Sequence, residues 1–320
     1  MSLTGKIILV TGGTGSFGQK FVEEALSQDP LAIRVFSRGE MLQEEMQKKF
    51  KDERLRFLIG DVRDEERLEL AMEGVHIVVH AAALKIVPTA EYNPQECVKT
   101  NIIGSMNVAY AAIKSGVQQV IGISSDKACH PVNLYGATKS VMERVMIQSN
   151  VYSRFRTRIS CTRYGNVVGS RGSVVPLFKQ QRETGEVTIT HPEMTRYWIT
   201  LDQGVKFVTH CIEAMRGGEI FVPKLPSMKV TDLANAICPN CVQKIIGIRP
   251  GEKIHETLVT EDEARHTREF EDYYTIHPEI PIWANMFKDM TGKPVHAAYT
   301  SGTNSTWLSI EDLRKIVDAG

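Results

Sequence analysis

Short runs of apolar, often β-branched residues recur along the first half of the chain, separated by longer stretches of mixed polarity. Lys6-Ile7-Ile8-Leu9-Val10, Ala32-Ile33-Arg34-Val35-Phe36, Leu55-Arg56-Phe57-Leu58-Ile59, Val75-His76-Ile77-Val78-Val79-His80 and Gln119-Val120-Ile121-Gly122-Ile123 have the length and branching of strands. The stretches between them read as helices: one ending near Leu26, one over Met41 to Asp52, one over Pro94 to Ser115, and one beginning after Tyr135. Strand and helix alternate to about residue 170, which predicts an α/β fold with a Rossmann-like, doubly wound parallel sheet. The remainder is loop-richer. It reads as a smaller C-terminal substrate-binding subdomain, 171–320, interleaved with the 1–170 domain and returning some segments to its sheet.

The first strand runs into Thr11-Gly12-Gly13-Thr14-Gly15-Ser16-Phe17-Gly18, and a helix follows. Strand, glycine-rich turn and helix in that order form the context a dinucleotide fingerprint needs, because missing side chains let backbone N–H groups approach a pyrophosphate. Gly12, Gly13, Thr14, Gly15, Ser16, Phe17 and Gly18 are therefore cofactor candidates, the alternative being a glycine turn that binds nothing.

The second strand ends in Ser37-Arg38, where an NAD-specific site places a carboxylate for the ribose 2′-hydroxyl. An arginine there suits a 2′-phosphate, and Ser37 can add a hydrogen bond. NADP is expected over NAD, with a solvated loop arginine as the alternative. After the third strand come Asp61, a candidate acceptor for an adenine amino group or simply a surface turn, and Val62. Ala81, Ala82 and Ala83 beyond the fourth strand are small enough for a cofactor to pass closely. Lys85 in the same loop would reach phosphate or sugar oxygens, or lie in solvent. Asn101 would brace backbone near Lys139 or face water.

Ser124 to Lys139 concentrates proton-handling groups. Tyr135 and Lys139 stand four apart at a helix start, so phenol and ammonium share a face, and the cation would lower a phenol pKa that ordinarily lies near ~10. Such pairs also occur on helix surfaces by chance. Asp126 and Lys127 follow the fifth strand, at the carboxyl end where open parallel sheets hold their ligands.

Charge narrows the field. The 320 residues carry 38 basic and 38 acidic side chains, so no field for polyanions is expected and nucleic acid is excluded as a partner. No apolar run reaches the ~18 residues that cross a bilayer, and the amino terminus enters a strand without a signal-peptide pattern, so a cytoplasmic protein without membrane attachment is expected. The six scattered cysteines suit reduced thiols. Cys238-Pro239-Asn240-Cys241 has metal-like spacing, but no second ligand pair accompanies it, so two thiols and no metal are expected.

Taken together, Thr-Gly-Gly-Thr-Gly-Ser-Phe-Gly, Ser37-Arg38, Ala-Ala-Ala-Leu-Lys85, Ser-Asp-Lys127-Ala, Asn-Leu-Tyr135-Gly-Ala-Thr-Lys139, Arg-Tyr-Gly-Asn166-Val and Met-Thr-Arg196 resemble the extended short-chain dehydrogenase/reductase superfamily. Within it they are most similar to the inverting UDP-N-acetylglucosamine 4,6-dehydratases, which open pseudaminic acid synthesis. The likeness extends through Arg249-Pro250-Gly251-Glu252-Lys253 to Trp307-Leu308-Ser309. Cys129-His130 departs from the small or polar residues of relatives.

The resemblance implies that NADP stays bound through one turnover. It casts Tyr135 as base for the sugar 4-hydroxyl, Lys139 as support for the phenolate and a ribose hydroxyl, and Ser125 as donor to the 4-oxygen. Lys127 would take the C5 proton, which requires burial to depress its pKa, and Asp126 would protonate the departing 6-hydroxyl. Lys85, Asn166, Ser173 and Val174 would meet the nucleotide sugar, Arg196 and Arg249 its pyrophosphate, and Glu252 the uridine ribose. A homo-oligomer, hexamer or dimer, is implied as well. A C5-retaining dehydratase, a UDP-sugar 4-epimerase and a non-catalytic NADP sensor are the competing readings. The Asp126-Lys127 pair argues against the epimerase, which loses no water, and intact Tyr135 argues for inversion.

Overall fold

The structure, a computed structural model, describes residues 3–154, 156–168, 174–278 and 291–319. The five apolar runs form parallel strands β1 (Ile7–Thr11), β2 (Ala32–Ser37), β3 (Leu55–Ile59), β4 (Ile77–His80) and β5 (Gln119–Ile123). Helices cover both faces of these strands, which is why β4 is apolar with scarcely a break and wholly buried. The sheet continues through β6 (Arg158–Thr162) and β7 (Ile220–Pro223), both parallel, then through antiparallel β8 (Thr267–Glu269), β9 (Tyr273–Ile276) and β10 (Lys293–Pro294). Its spatial order is β10-β8-β9-β7-β6-β5-β4-β1-β2-β3.

β1 is flanked by β2 on one side and β4 on the other. Chain direction across the sheet therefore switches at β1, and a crevice opens beyond the carboxyl ends of β1 and β4, where such sheets hold ligands. The loops there meet closely. Gly12 has φ +66°, and a Cβ on it would lie 2.8 Å from the backbone nitrogen of Ala82, so a glycine is required on both counts.

The segment expected as one helix from Pro94 to Ser115 is instead two α-helices, Pro94–Val98 and Gly104–Lys114, joined by a π-helical turn, Lys99–Ile103. Asn101 sits in that turn and is 1% exposed. Its Nδ2 donates to the Leu84 carbonyl at 2.9 Å and to Thr138 Oγ1 at 3.0 Å, while its Oδ1 accepts from the Leu84 amide at 2.8 Å. One amide thus fastens the Ala81–Lys85 loop to the helix that carries Tyr135.

A second apolar cluster, including Phe178, Trp198, Leu233 and Leu313, gathers residues from the later part of the chain. Beside it, Cys238 and Cys241 are joined in a disulfide, which corrects the expectation of two thiols. The helix Val230–Ile237 ends at Cys238, and the turn that follows sets the two Cα atoms 5.4 Å apart, within a disulfide's reach. Cys97, Cys129, Cys161 and Cys211 are free and buried. Among the described residues no helix is long and apolar enough to cross a membrane, and no group of three or more His, Cys, Asp or Glu is placed to hold a metal ion.

Candidate active site

A cavity of about 870 Å3 occupies the crevice. Gly12, Thr14, Gly15, Ser16, Phe17 and Gly18 line one end, with Ser37, Arg38, Asp61 and Val62 at the rim where β2 and β3 finish. Ala81, Ala83 and Lys85 form a wall, and Ser125, Asp126, Lys127, Tyr135, Lys139, Asn166 and Val174 the other end. Most of the motif residues, drawn from segments that run from Gly12 to Val174, thus face one space. Gly13 packs beneath the turn, against Val35. Ser173 lies outside the described residues.

The Tyr135 helix, Leu134–Ser153, starts where it does because Asn133 caps it, its Oδ1 accepting from the Gly136 amide at 2.8 Å. The same side chain donates from Nδ2 to the Gly251 carbonyl at 2.8 Å, so the helix start is anchored to a loop 118 residues away. After β5 the chain makes a short 3-10 turn, Asp126–Ala128, capped by Ser125 Oγ, which accepts from the Lys127 amide at 3.2 Å.

Asp126 is 1% exposed. Its Oδ1 accepts from Ser125 Oγ at 2.8 Å and from Lys127 Nζ at 3.1 Å, whereas its Oδ2 is buried without a hydrogen-bond partner. Lys127 Nζ also lies 3.6 Å from Glu256 Oε1. Burial alone would lower the lysine's pKa, but the negative charges of Asp126 and Glu256 outweigh it and raise the pKa above its ordinary value. That reverses the expected depression: as the site stands, Lys127 is an ammonium.

Burial pushes the Tyr135 phenol up, and the positive charge that opposes the rise belongs to Lys127, assisted by a hydrogen bond with Ser125. Lys139 was expected in that part. Its Nζ turns instead to the carbonyl of Ile123, at 2.6 Å, and to Met142 Sδ, at 3.3 Å, and burial brings its pKa down to about 8. A shared helix face therefore put both side chains in the cavity without bringing ammonium to phenol.

Arg196 does not line the cavity. It is 9% exposed and spends its guanidinium on the carbonyls of Thr195 and Ile254, at 2.7 and 3.1 Å, with Nε 3.7 Å from Glu256 Oε1. Arg249 and Glu252 pair loosely with each other at 3.9 Å, and neither lines the cavity. Asp61 likewise has a protein partner: Arg63 Nε and Nη2 bind its carboxylate at 3.0 and 2.6 Å. Burial raises the Asp61 pKa, but Arg63 and the nearby Arg38 outweigh that and hold it below the usual carboxylate range.

Groups that sequence motifs did not mark also belong here. Trp198 lines the cavity, and its Nε1 and the Oδ1 of Asn166 are buried without hydrogen-bond partners. Glu256 stands behind Lys127. Cys129 gains its account from Arg163, whose Nη1 donates to the Cys129 sulfur at 2.9 Å within a buried network that includes Glu143 and Glu263. That network fixes the underside of the Asp126–Ala128 turn, since Ser124 Oγ donates to Glu143 at 2.5 Å.

The family described as polysaccharide biosynthesis protein matches residues 8–278. The chain is 49% identical to a UDP-N-acetylglucosamine 4,6-dehydratase (inverting) of Campylobacter jejuni, over 98% of each chain. A UDP-glucose 4-epimerase of Rickettsia rickettsii is 43% identical over 98% of this chain and 95% of that one. Among solved structures, Pen from Bacillus thuringiensis matches with a TM-score of 0.90 at 36% identity, covering 100% of both chains. DesIV of Streptomyces venezuelae, a dTDP-glucose 4,6-dehydratase solved with NAD and TYD bound, matches with a TM-score of 0.69 over 78% of this chain and 86% of that one. At 22% identity that likeness concerns the fold alone.

Proposed function

The chain belongs to the polysaccharide biosynthesis protein family, and from that premise we propose that it is an NADP-dependent UDP-N-acetylglucosamine 4,6-dehydratase that inverts C5. Its product would be UDP-2-acetamido-2,6-dideoxy-β-L-arabino-hex-4-ulose, the entry to pseudaminic acid. The observation that carries the reading is the Asp126–Lys127 pair at 3.1 Å beside Tyr135. Removing water from a sugar requires an acid and a base beyond the tyrosine, and this pair supplies them.

An ammonium cannot take a proton. One proton passing from Lys127 Nζ to Asp126 Oδ1 along their hydrogen bond leaves a neutral amine to accept from C5 and a carboxylic acid to protonate the departing 6-hydroxyl. Both reactive forms arise from a single transfer with no change in net charge. Asp126 Oδ2 is buried without a hydrogen-bond partner, so the carboxyl has an oxygen that no protein group occupies. Tyr135 takes the 4-hydroxyl proton, with Lys127 and Ser125 opposing the effect of burial on its phenol.

The residues of the crevice fit a dinucleotide: the Gly12 turn leaves no room for a Cβ, and Arg38 is exposed at the rim with its nearest carboxylate, Asp61, already bound by Arg63. NADP would supply hydride transfer at C4 and C6. Arg38 would hold the 2′-phosphate and Lys139 a ribose hydroxyl. Lys85, Asn166 and Val174 would contact the nucleotide sugar, and the protein would act in the cytoplasm.

Relatives named as 4-epimerases favour a second reading, in which hydride returns to C4. Such a reaction loses no water and has no use for Asp126 and Lys127 as acid and base at C6 and C5. In Lys127→Ala the two diverge: a dehydratase should accumulate bound NADPH and release no 4-keto, 6-deoxy product, a loss of ~10²–10⁴-fold for a missing proton acceptor. Near-normal C4 epimerisation by that variant would establish the second reading.

A further inference from the structure

Glu256 lies outside every motif that marks the site, yet its carboxylate, 2% exposed, gathers three cations. Lys127 Nζ and Arg196 Nε stand 3.6 and 3.7 Å from its Oε1, and Lys253 Nζ stands 3.7 Å from its Oε2. Its backbone is pinned from both sides: its amide donates to Ser301 Oγ at 2.8 Å, and its carbonyl accepts from the Ser301 amide at 2.8 Å. Lys253 Nζ, besides pairing with Glu256, donates to the carbonyl of Cys129, two residues beyond Lys127. The Lys253–Glu256 segment thus grips the Asp126–Ala128 turn by side chain and by backbone.

We propose that Glu256 is a positioning residue for proton transfer: it holds the Lys127 ammonium against Asp126 and keeps the pair's single proton in place until substrate enters. The proposal rests on the reading above, in which Asp126 and Lys127 act as acid and base. Lys127 faces Asp126, Glu256, Arg196 and Tyr135, and Glu256 faces Lys127, Arg196 and Lys253. Arg196 disfavours the charge on Lys127, whereas both carboxylates favour it. Removing the charge of Glu256 therefore eases proton loss from Lys127. Above the pH of that loss, Asp126 has no proton to give and turnover falls.

The test is competitive acetylation of Lys127 with trace acetic anhydride across the alkaline range, read by mass spectrometry of the peptide that carries it, in wild type, Glu256→Gln and Glu256→Asp. Glu256→Gln is expected to take up about tenfold more label at Lys127 at a given pH for each unit its pKa falls. The basic limb of its kcat/KM profile should move to lower pH with it, and Glu256→Asp, which keeps the charge, should lie near wild type. A merely structural role would lower kcat and leave both curves in place. Should Glu256→Gln fail to bind NADP, Glu256→Ala, which removes the same charge without leaving a buried amide, carries the test with a shift in the same direction. Labelling curves that superimpose on wild type overturn the proposal. A shifted labelling curve in an enzyme that makes no 4-keto product would instead overturn the dehydratase reading and leave the hold of Glu256 on Lys127 standing.

Discussion

A Cβ on Gly136 would stand 2.2 Å from the carbonyl oxygen of Lys127. The turn that carries Asp126 and Lys127 and the helix that carries Tyr135 therefore meet through bare backbone, and their separation is set by the lack of one side chain. Gly136→Ala must push the two apart. It is expected to cost about 1–3 kcal/mol of stability, the usual penalty for overpacking, and to lower product formation at least tenfold, a modest loss for misplaced acid–base groups. NADP affinity should change little. Denaturant unfolding, a cofactor titration and a product assay check the three parts, and unchanged turnover would show that the contact sets nothing.

Arg38 stands at the cavity rim with its Nη1 3.9 Å from Asp61 Oδ2. Replacing it with alanine removes one charge-assisted contact to a 2′-phosphate and should weaken NADP binding by ~1.5–3 kcal/mol, with NAD binding nearly unaffected. Calorimetric titration of both cofactors decides the matter; equal losses for the two would remove Arg38 from the choice.

The parts of the site that were legible in the sequence are those whose signal is local. The glycine spacing from 12 to 18, the small residues after β4 and the Asp126-Lys127 dipeptide after β5 each sit at a strand end, and an open parallel sheet brings all its carboxyl ends to one edge. Glu256 could not be found this way, because it follows the Arg249–Lys253 motif without belonging to it, and its place behind Lys127 comes from long-range contacts such as the pairing of its backbone with Ser301 and the reach of Lys253 to Cys129. Lys139 shows the limit of helical spacing. Four residues of separation place it on the face of Tyr135, but the Ile123 carbonyl at the end of β5 offers its ammonium a closer acceptor. The resemblance implies a phosphate ligand at Arg196, but its burial beside Glu256 reflects a strand, Thr195–Ile199, that is buried along its whole length.

His80 hydrogen-bonds with Thr11 Oγ1 and Ser105 Oγ, both at 2.8 Å, and is fully buried near Lys139. Burial, then the charge of Lys139, lowers its pKa to about 3. A depressed histidine means that the unfolded chain binds the extra proton first, so stability should be full above about pH 6.5 and fall as pH drops toward about 3, by on the order of 3–5 kcal/mol. His80→Gln should flatten that slope between the two values, whatever it does to stability at neutral pH. A slope equal to wild type in acid unfolding experiments would assign the acid sensitivity to other groups.

Val98, Ile103, Val141 and Tyr152 leave apolar surface exposed on the Pro94–Lys114 segment and the Leu134–Ser153 helix, with Tyr92 just before them. We propose that these helices pair two copies of the chain within a homo-oligomer. Light scattering should give a mass above the 35.8 kDa of one chain, and Val141→Glu with Tyr152→Glu should lower it. A monomeric wild type at micromolar concentration would contradict this.

In the proposed reaction Lys127 and Asp126, beside Tyr135, carry a dehydration that inverts C5. Brief incubation of the wild-type protein with UDP-N-acetylglucosamine and NADP in D₂O, followed by proton NMR of the product, tests it most directly. The expected product is a 4-keto, 6-deoxy sugar that carries deuterium at C5, with ring couplings of the L-arabino configuration. A product of D-xylo configuration, or a 4-epimer that retains its 6-hydroxyl, would contradict it.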